Sequence, residues 1–321
     1  ESRLQTAHQK HDGEKIGGNR GIWDRVDWSF VGAIVALAAF SYAASVLYKT
    51  LESISWDQVR HTIVTFPLSR LALAGLATAA SYLALVGYDL IALRLVGARR
   101  VPLRTTAITS FISHAVTFTF GFGVLTGGAV RMRLYRPWKV STDQVLAVVL
   151  LCALSFWAGL AAIAGICLAV DPELVAALVG LDAAACRILG FAILAALALW
   201  LAISARKRTV IAVRDWQLPL PGAGTTLAAI FVGMADVAAA AVALWVLLPH
   251  DVAVTLPGFL VVFSLAIVVG VLSHVPGGFG VFDAIVLLGI AKGAPSPELV
   301  SSLVLFRLVY YFVPVTIAAM M

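Results

Sequence analysis

Three ionisable residues lie inside long apolar segments, where a charge is costly. Asp236 is the fifteenth residue of the apolar segment 222–249, Arg307 is the ninth residue of the segment 299–321, and Asp283 follows a glycine-rich turn. An unpaired charge at the centre of a bilayer costs about 2.5–3.5 kcal/mol on insertion scales. The residues therefore indicate one of two arrangements. Arg307 binds an anionic group such as a lipid phosphate while the carboxylates attract a cation, or a fixed ion pair clamps the helices together.

Two tyrosines extend this candidate site along the last apolar segment. Arg307, Tyr310 and Tyr311 are spaced i, i+3 and i+4, so a helix presents them on one face. A guanidinium beside two phenols suits the recognition of phosphate and hydroxyl groups. A packed aromatic face has the same pattern, so both interpretations stay open for the tyrosines.

Five further polar residues lie near the ends or breaks of apolar segments. Asp89 lies near the end of the segment 71–93 and either binds substrate or is a solvated helix end, and Arg131 and Arg133 directly follow a broken apolar stretch. The two arginines either collect anionic headgroups or anchor the chain by the positive-inside rule. His114 and His274 either relay protons, contact phosphate, or are hydrogen-bonded structural histidines.

The sequence gives no indication of an enzyme, a cofactor or a metal. A nucleophile elbow, a P-loop and zinc-ligand spacings are all missing from the sequence, and Cys152, Cys167 and Cys186 are most simply core residues. The formal net charge of +6 comes from short basic clusters between apolar segments, without interleaved aromatic residues. This pattern is a topology signal and predicts no nucleic-acid binding.

The composition identifies the elements that must position these residues. Of the 321 residues, 61% are hydrophobic and 12% are charged, and the mean hydropathy is +0.97. Soluble domains average roughly 45–50% apolar and about 25% charged residues, so a soluble fold is excluded. One helical crossing of a bilayer needs about 20 apolar residues. Six segments meet this requirement and predict six transmembrane helices: 28–48, 71–93, 144–170, 188–205, 222–249 and 299–321.

Two further apolar stretches, 105–130 and 252–282, are interrupted by Ser, His, Pro and Gly, and make poor continuous helices. Backbone that is not helical at membrane depth must line a cavity or be buried in protein. The alternative is that the glycines permit close helix packing. We predict two re-entrant hairpins whose gating residues are Gly121, Gly123, Gly127, Gly128, Pro276, Gly277, Gly278 and Gly280.

The positive charges predict the orientation, because Lys and Arg are retained on the cytoplasmic side. If the first broken stretch enters and leaves by the same face, 17 of the 23 Lys and Arg residues lie in the cytoplasm, together with an N-terminal tail of residues 1–27. Five then lie outside and Arg307 lies within the membrane. The second broken stretch must enter from the opposite leaflet.

The two broken stretches also echo each other in sequence. Ser113-His114 precedes Phe-Gly-Val at 122–124, and Ser273-His274 precedes Phe-Gly-Val at 279–281. Corresponding interrupted segments that enter from opposite sides indicate an inverted repeat with a substrate site at mid-membrane, here with halves at about 71–205 and 222–321. Coincidence between short motifs is the alternative.

Three motifs in order resemble a known family. They are TGGAVRMRLY at 126–135, PGGFGVFD at 276–283 and FRLVYYFVP at 306–314. Together they resemble the transmembrane region of the multiple peptide resistance factor (MprF) family, the bacterial lysylphosphatidylglycerol flippase/synthetases. The resemblance covers the chain from about Val31 to its end. In this chain Asp283 stands where many relatives have Glu.

The resemblance implies that residues 28–321 form a flippase domain in the bacterial cytoplasmic membrane. This domain would move aminoacylated phosphatidylglycerol, lysylphosphatidylglycerol above all, to the outer leaflet, where its charge repels cationic antimicrobial peptides. The implied partners are anionic and aminoacylated phospholipids and a cytoplasmic aminoacyltransferase domain, which nothing in this chain resembles; a homo-oligomer stays open. The alternatives are a secondary transporter of a small polar solute and a membrane anchor without transport.

Overall fold

The fold is that of a multi-pass helical membrane protein. A computed structural model describes residues 56–121, 125–206, 210–213, 216–219, 221–250, 252, 254–291 and 296–321. Within these residues, five helices are long and apolar enough to cross a membrane: Leu68–Leu95, Thr142–Val170, Ala183–Arg206, Ala223–Trp245 and Pro297–Met320. They confirm five of the six predicted crossings. The remaining one, at 28–48, and the tail 1–27 lie outside the described residues.

The helices follow one another along the chain with short connections. They are α1 (Trp56–Val64), α2 (Leu68–Leu95), α3 (Leu103–Phe120), α4 (Thr126–Tyr135), α5 (Thr142–Val170), α6 (Glu173–Val179), α7 (Ala183–Arg206), α8 (Ala223–Trp245), α9 (Leu256–Leu272), α10 (Val281–Ile290) and α11 (Pro297–Met320). Between α7 and α8 lies one antiparallel hairpin, β1 (Val210–Val213) with β2 (Trp216–Pro219).

Both irregular stretches are pairs of short helices that are joined at a break. The helix α3 ends at Phe120, and Gly121, which follows it, has a φ of +73°; α4 begins five residues after Gly121. The helices α9 and α10 are joined by a 3₁₀ turn at Pro276–Gly278, in which Gly277 and Gly278 have φ values of +61° and +60°. These left-handed conformations are easily adopted only by glycine, so Gly121 ends α3, and Gly277 and Gly278 allow the tight turn that precedes α10.

The helix α8 packs against both α2 and α5. It crosses α5 at two glycines: a Cβ atom built on Gly159 would lie 2.1 Å from the carbonyl carbon of Gly233. Only residues without a side chain allow the two backbones to approach so closely. Asp236 follows Gly233 by three residues, so this crossing fixes the depth at which the carboxylate lies.

Aromatic side chains fill the space between α9, α10 and α11. The rings of Phe263, Phe282 and Phe306 pack against one another with centroids 5.4–6.2 Å apart. Directly after Arg307, α11 widens into a π-helical turn at Leu308–Phe312. Such π-turns are rare and frequently mark functional sites, because they shift the side chains on one side of the helix.

Candidate functional site

The first buried ion pair joins α2 to α4. Arg131 donates from Nε to Asp89 Oδ1 and from Nη2 to Asp89 Oδ2, both at 2.8 Å. Tyr135 donates a third hydrogen bond to Oδ1 at 3.2 Å. Asp89 is fully buried and Arg131 is 3% exposed. This bidentate geometry is the strongest that a guanidinium forms with a carboxylate.

A glycine at the start of α4, Gly127, makes room for this pair. Arg131 Nη1 lies 3.4 Å from the carbonyl oxygen of Gly127. A Cβ on Gly127 would lie 3.1 Å from Nη1 and 2.5 Å from Thr117 Oγ1, so a side chain here would force Arg131 or α3 to move. Gly128 is also buried. Gly127 therefore serves the packing of the ion pair, whereas a Cβ on Gly128 would make only an ordinary contact with Val149, at 3.8 Å.

His114 of α3 completes the first cluster in a neutral form. Its Nδ1 lies 2.8 Å from the carbonyl oxygen of Ser110 and 3.9 Å from Asp89 Oδ2, and its Nε2 lies 3.4 Å from Arg131 Nη2. Arginine can only donate, so Nε2 must accept and the ring proton lies on Nδ1, where it is donated to Ser110. If His114 were protonated on both nitrogens, its positive charge would face that of Arg131, and Nε2 could no longer accept the hydrogen bond from Arg131.

The second buried ion pair lies at the other break. Arg307 of α11 donates from Nη2 to Asp283 Oδ2 at 3.0 Å and from Nε to Oδ1 at 3.3 Å. It also donates to the carbonyl oxygens of Gly277 at 2.6 Å and Gly278 at 3.3 Å. All three guanidinium nitrogens thus hold the tight turn between α9 and α10. The sequence indicated two possible arrangements for Arg307, and this geometry corresponds to the one in which a fixed ion pair clamps the helices together.

Aromatic rings enclose the same guanidinium. Arg307 Cζ lies 4.7 Å from the ring centroids of Phe279 and Tyr311 and 5.1 Å from that of Phe282. Arg307 is 6% exposed. Cation–π contacts in a dehydrated setting stabilise a cation by about 2 kcal/mol or more. The charge is therefore compensated by one carboxylate, two carbonyl dipoles and three ring faces.

Asp236 differs from the other two carboxylates because its partners are hydroxyl groups. Ser81 donates to Oδ1 at 2.5 Å and Tyr88 donates to Oδ2 at 2.9 Å. Ser81 Oγ also lies 2.8 Å from Tyr310 Oη, which must donate because the hydrogen of Ser81 is already used. Asp236 is 2% exposed, and no Lys, Arg or His of the described residues lies in salt-bridge contact with it.

The two breaks touch each other beside these clusters. A Cβ on Gly121 would lie 3.6 Å from Pro276 Cα, and one on Gly277 would lie 3.1 Å from the carbonyl oxygen of Phe118. The ring of Phe118 stacks on Tyr310 at 6.1 Å, and Tyr310 contacts Tyr311 at 5.3 Å. One continuous set of contacts therefore runs from Arg307 through the tyrosines to Asp236.

The same network continues to the first ion pair through Tyr88. Its hydroxyl binds Asp236, and its ring centroid lies 6.3 Å from that of His114. The structure thus gathers most of the predicted site residues into one buried assembly, in which only Asp283 and Tyr311 are half-buried: Asp89, His114, Arg131, Asp236, Asp283, Arg307, Tyr310 and Tyr311.

Other predicted residues lie apart from this assembly. Arg133 is exposed on α4, and His274 is exposed just after α9, with a φ of +56° and Nδ1 2.8 Å from the carbonyl oxygen of Leu272. Gly123 lies outside the described residues. The two Ser-His motifs therefore occupy different settings, since His114 is within a helix and His274 is in the turn.

Sequence reasoning missed the hydroxyl partners of the carboxylates. Ser81, Tyr88 and Tyr135 are buried and bonded to Asp236 or Asp89. Ser81 and Tyr88 are seven residues apart and share one face of α2 with Tyr82, Leu85 and Asp89. A search for polar residues along that one face of an apolar helix would have found them.

Two grooves on the described surface lie away from the buried assembly. One of about 350 Å³ lies between α7 and α8 near Ala202, and one of about 420 Å³ lies beside Arg70 and Trp245. Neither is lined by a predicted site residue. In the described part of the chain, Asp89 and Asp283 are each bound to an arginine, and Asp236 is bound to two hydroxyl groups.

Comparison with known proteins identifies relatives along nearly the whole chain, although no family model matches it. The uncharacterized protein slr0712 of Synechocystis sp. is 30% identical over 298 residues, which are 93% of this chain and 92% of the relative. Phosphatidylglycerol lysyltransferases of Staphylococcus aureus strains MRSA252 and COL are 29% identical over 296 residues, which are 91% of this chain. The matched region is 34% of the length of these staphylococcal relatives.

Proposed function

Because the chain belongs to the multiple peptide resistance factor family, we propose that it translocates aminoacylated phosphatidylglycerol, above all lysylphosphatidylglycerol, from the inner to the outer leaflet. The substrate class is taken from the staphylococcal relatives, whose name specifies phosphatidylglycerol and lysine. The chain spans about a third of their length, so lysyl transfer itself is assigned to the part of those relatives that this chain does not match.

Asp236 is the single observation that carries the proposal. A carboxylate that is buried in a membrane-spanning helix is stabilised by a cationic partner, yet its described neighbours are hydroxyls. A lysyl headgroup carries two amines and one phosphate, and an amine would supply the missing positive charge. The hydrogen-bond chain through Ser81 to Tyr310 holds the carboxylate in place for that contact.

The two arginines would take part by exchanging partners. Each is bound to a carboxylate at a break, and a lipid phosphate is a competing bidentate acceptor for the same guanidinium. We propose that phosphate entry displaces Asp89 from Arg131 on one side and Asp283 from Arg307 on the other. Tyr311 and His114 would contact the headgroup beside them, and the exposed Arg133 and His274 would meet it at entry and exit.

The broken helices would gate this movement. In our proposal the pair α3–α4 dips in from the cytoplasmic leaflet and α9–α10 from the outer leaflet, with the N-terminus in the cytoplasm. Contact between Gly121 and Pro276 at the tips is consistent with entry from opposite sides. Alternate opening of the two breaks would expose the buried assembly to one leaflet at a time.

The cellular consequence would be resistance to cationic antimicrobial peptides, because the exported lipid adds positive charge to the outer surface of the bacterial cytoplasmic membrane. The proposed partner is an aminoacyltransferase that supplies the lipid from the cytoplasmic side. A second function, a membrane anchor for such a transferase, is favoured by one observation: both arginine–carboxylate pairs are closed onto protein groups.

Transport in vesicles distinguishes these functions. The chain is reconstituted in liposomes that contain lysylphosphatidylglycerol with unmodified amines, and the arrival of this lipid in the opposite leaflet is followed with a membrane-impermeant amine reagent. We expect transport by the unaltered chain and its loss in Asp236→Asn. The matched control is Asp182→Asn, at an exposed loop residue. Absence of transport by the unaltered chain would favour the anchor, and full transport by Asp236→Asn would remove Asp236 from the site.

A further inference from the structure

A groove lies at one end of the bundle, where α2 begins and α8 ends. Its volume is about 420 Å³, within the usual range for small-molecule sites. Polar side chains come from Arg70, Trp245 and His250, and Leu73, Leu248 and Val252 contribute apolar surface. The buried assembly around Asp236 contributes no residue to it.

Arg70 is fixed in this groove by the end of α8. Its Nε donates to the carbonyl oxygen of Val246 at 2.8 Å, and Nη2 donates to that of Leu248. Its Cζ lies 5.1 Å from the ring centroid of Phe66. These contacts orient the guanidinium and use two of its five N–H groups. Within the described residues Nη1 has no hydrogen-bond partner and no carboxylate lies in salt-bridge contact, so the positive charge stays available.

The groove lies where the apolar helices meet the membrane boundary. Arg70 is the third residue of α2, and Trp245 is the last residue of α8, and both helices are long enough to cross. Tryptophan and arginine are typical of this boundary, where a ring or a guanidinium reaches the headgroups. Leu68 is 79% exposed and Leu73 is 53% exposed, so the groove adjoins a surface that suits acyl chains.

We propose that this groove binds the phosphate of an anionic phospholipid, in the leaflet opposite the arginine-rich end of α2. A cation held in place without a carboxylate partner in the described residues supplies the charge, Trp245 and His250 flank it, and the neighbouring apolar surface receives the upper acyl chains. Free phosphate would interact only with the guanidinium of Arg70 and not with the apolar surface. The proposal is independent of lipid translocation, since it concerns binding at the surface.

Quenching of Trp245 by brominated lipids tests the site on the whole chain. The Trp245 signal is the fluorescence difference between the unaltered chain and Trp245→Phe. It is measured in phosphatidylcholine vesicles with brominated phosphatidylglycerol or, with the same acyl chains, brominated phosphatidylcholine. We expect the anionic lipid to quench about five-fold more effectively at equal mole fraction. Equal quenching by both lipids would overturn the proposal.

Substitutions of Arg70 separate a specific site from general surface charge. Arg70→Gln should abolish the preference for the anionic lipid. Arg70→Lys keeps the positive charge and should retain most of the preference, so it controls for an effect of the substitution on folding. Arg187→Gln is the matched control, an exposed arginine near the start of the crossing helix α7. Loss of preference in Arg187→Gln, or its persistence in Arg70→Gln, would contradict a site at Arg70.

Inorganic phosphate distinguishes the source of the phosphate. We expect that phosphate added at the same ionic strength as a chloride control leaves the quenching by brominated phosphatidylglycerol unchanged, because it cannot use the apolar surface. If phosphate removes the preference and chloride does not, the groove binds free phosphate and the phospholipid assignment is overturned.

Discussion

Asp283 and Arg307 form an ion pair across the second break, with Nη2 3.0 Å from Oδ2, although 24 residues separate them in the chain. The first break has the corresponding pair with the charges exchanged. There the helix after the break supplies the arginine, Arg131, and the neighbouring crossing helix supplies the carboxylate, Asp89. In either pair, the arginine is a possible partner for a ligand phosphate and the carboxylate is a possible partner for a ligand amine.

Removal of Arg307 should destabilise the second break strongly. Arg307→Ala removes the cationic partner of Asp283, which keeps only the N–H of Gly280 as a donor, and leaves the carbonyls of Gly277 and Gly278 without Arg307. Breaking a buried ion pair by removing one partner costs about 3–5 kcal/mol. We expect a lower thermal unfolding midpoint in detergent, measured by tryptophan fluorescence. The double variant Arg307→Leu with Asp283→Leu should recover part of this loss. If Arg307→Ala unfolds like the unaltered chain, the guanidinium does not clamp the turn.

The crossing of α5 and α8 provides a test of packing alone. A side chain at Gly159 would overlap the backbone of Gly233, whereas a Cβ on Gly75 in α2 meets no atom within 4 Å. Overpacking costs about 1–3 kcal/mol, so Gly159→Ala should lower the unfolding midpoint. Gly75→Ala should leave the midpoint unchanged or raise it. The corresponding gain in the free energy of unfolding is up to roughly 1 kcal/mol, since alanine favours helices. Equal effects of the two substitutions would contradict the close crossing.

Much of this architecture could be predicted from the sequence, because the length of an apolar segment and its glycine content are local properties. The crossing helices follow from apolar segments of sufficient length, and the breaks follow from Gly121 and Gly277. The pairing of Asp89 with Arg131 could not be read in the same way, since 42 residues separate them and each has an ordinary explanation near a helix end. The hydroxyl partners of Asp236 escaped notice because Ser and Tyr are common in apolar helices.

The second break should depend on glycine more strongly than an ordinary left-handed turn. Gly277 has a φ of +61°, and a Cβ there would lie 2.8 Å from Phe279 Cε2 and 3.1 Å from the carbonyl oxygen of Phe118. Gly97 has a φ of +77° but open space around it. Gly97→Ala should cost about 1–2 kcal/mol from backbone strain alone. Gly277→Ala should cost more, measured as the shift of the unfolding midpoint, and an equal shift would exclude tight packing of the two breaks.

Tyr88 should tune the carboxylate that we assign to the lysyl amine. Tyr88→Phe removes one of the two donors to Asp236, which disfavours the charged carboxylate and weakens its attraction for a cation. We expect the lipid mole fraction that gives half-maximal transport to rise by about ten-fold, with little change in unfolding. Tyr82→Phe is the control, because its hydroxyl makes only a 3.5 Å contact with the carbonyl oxygen of Tyr310. A purely structural Asp236 predicts the opposite pattern, in which Tyr88→Phe lowers the unfolding midpoint and transport by the folded fraction keeps its dependence on lipid.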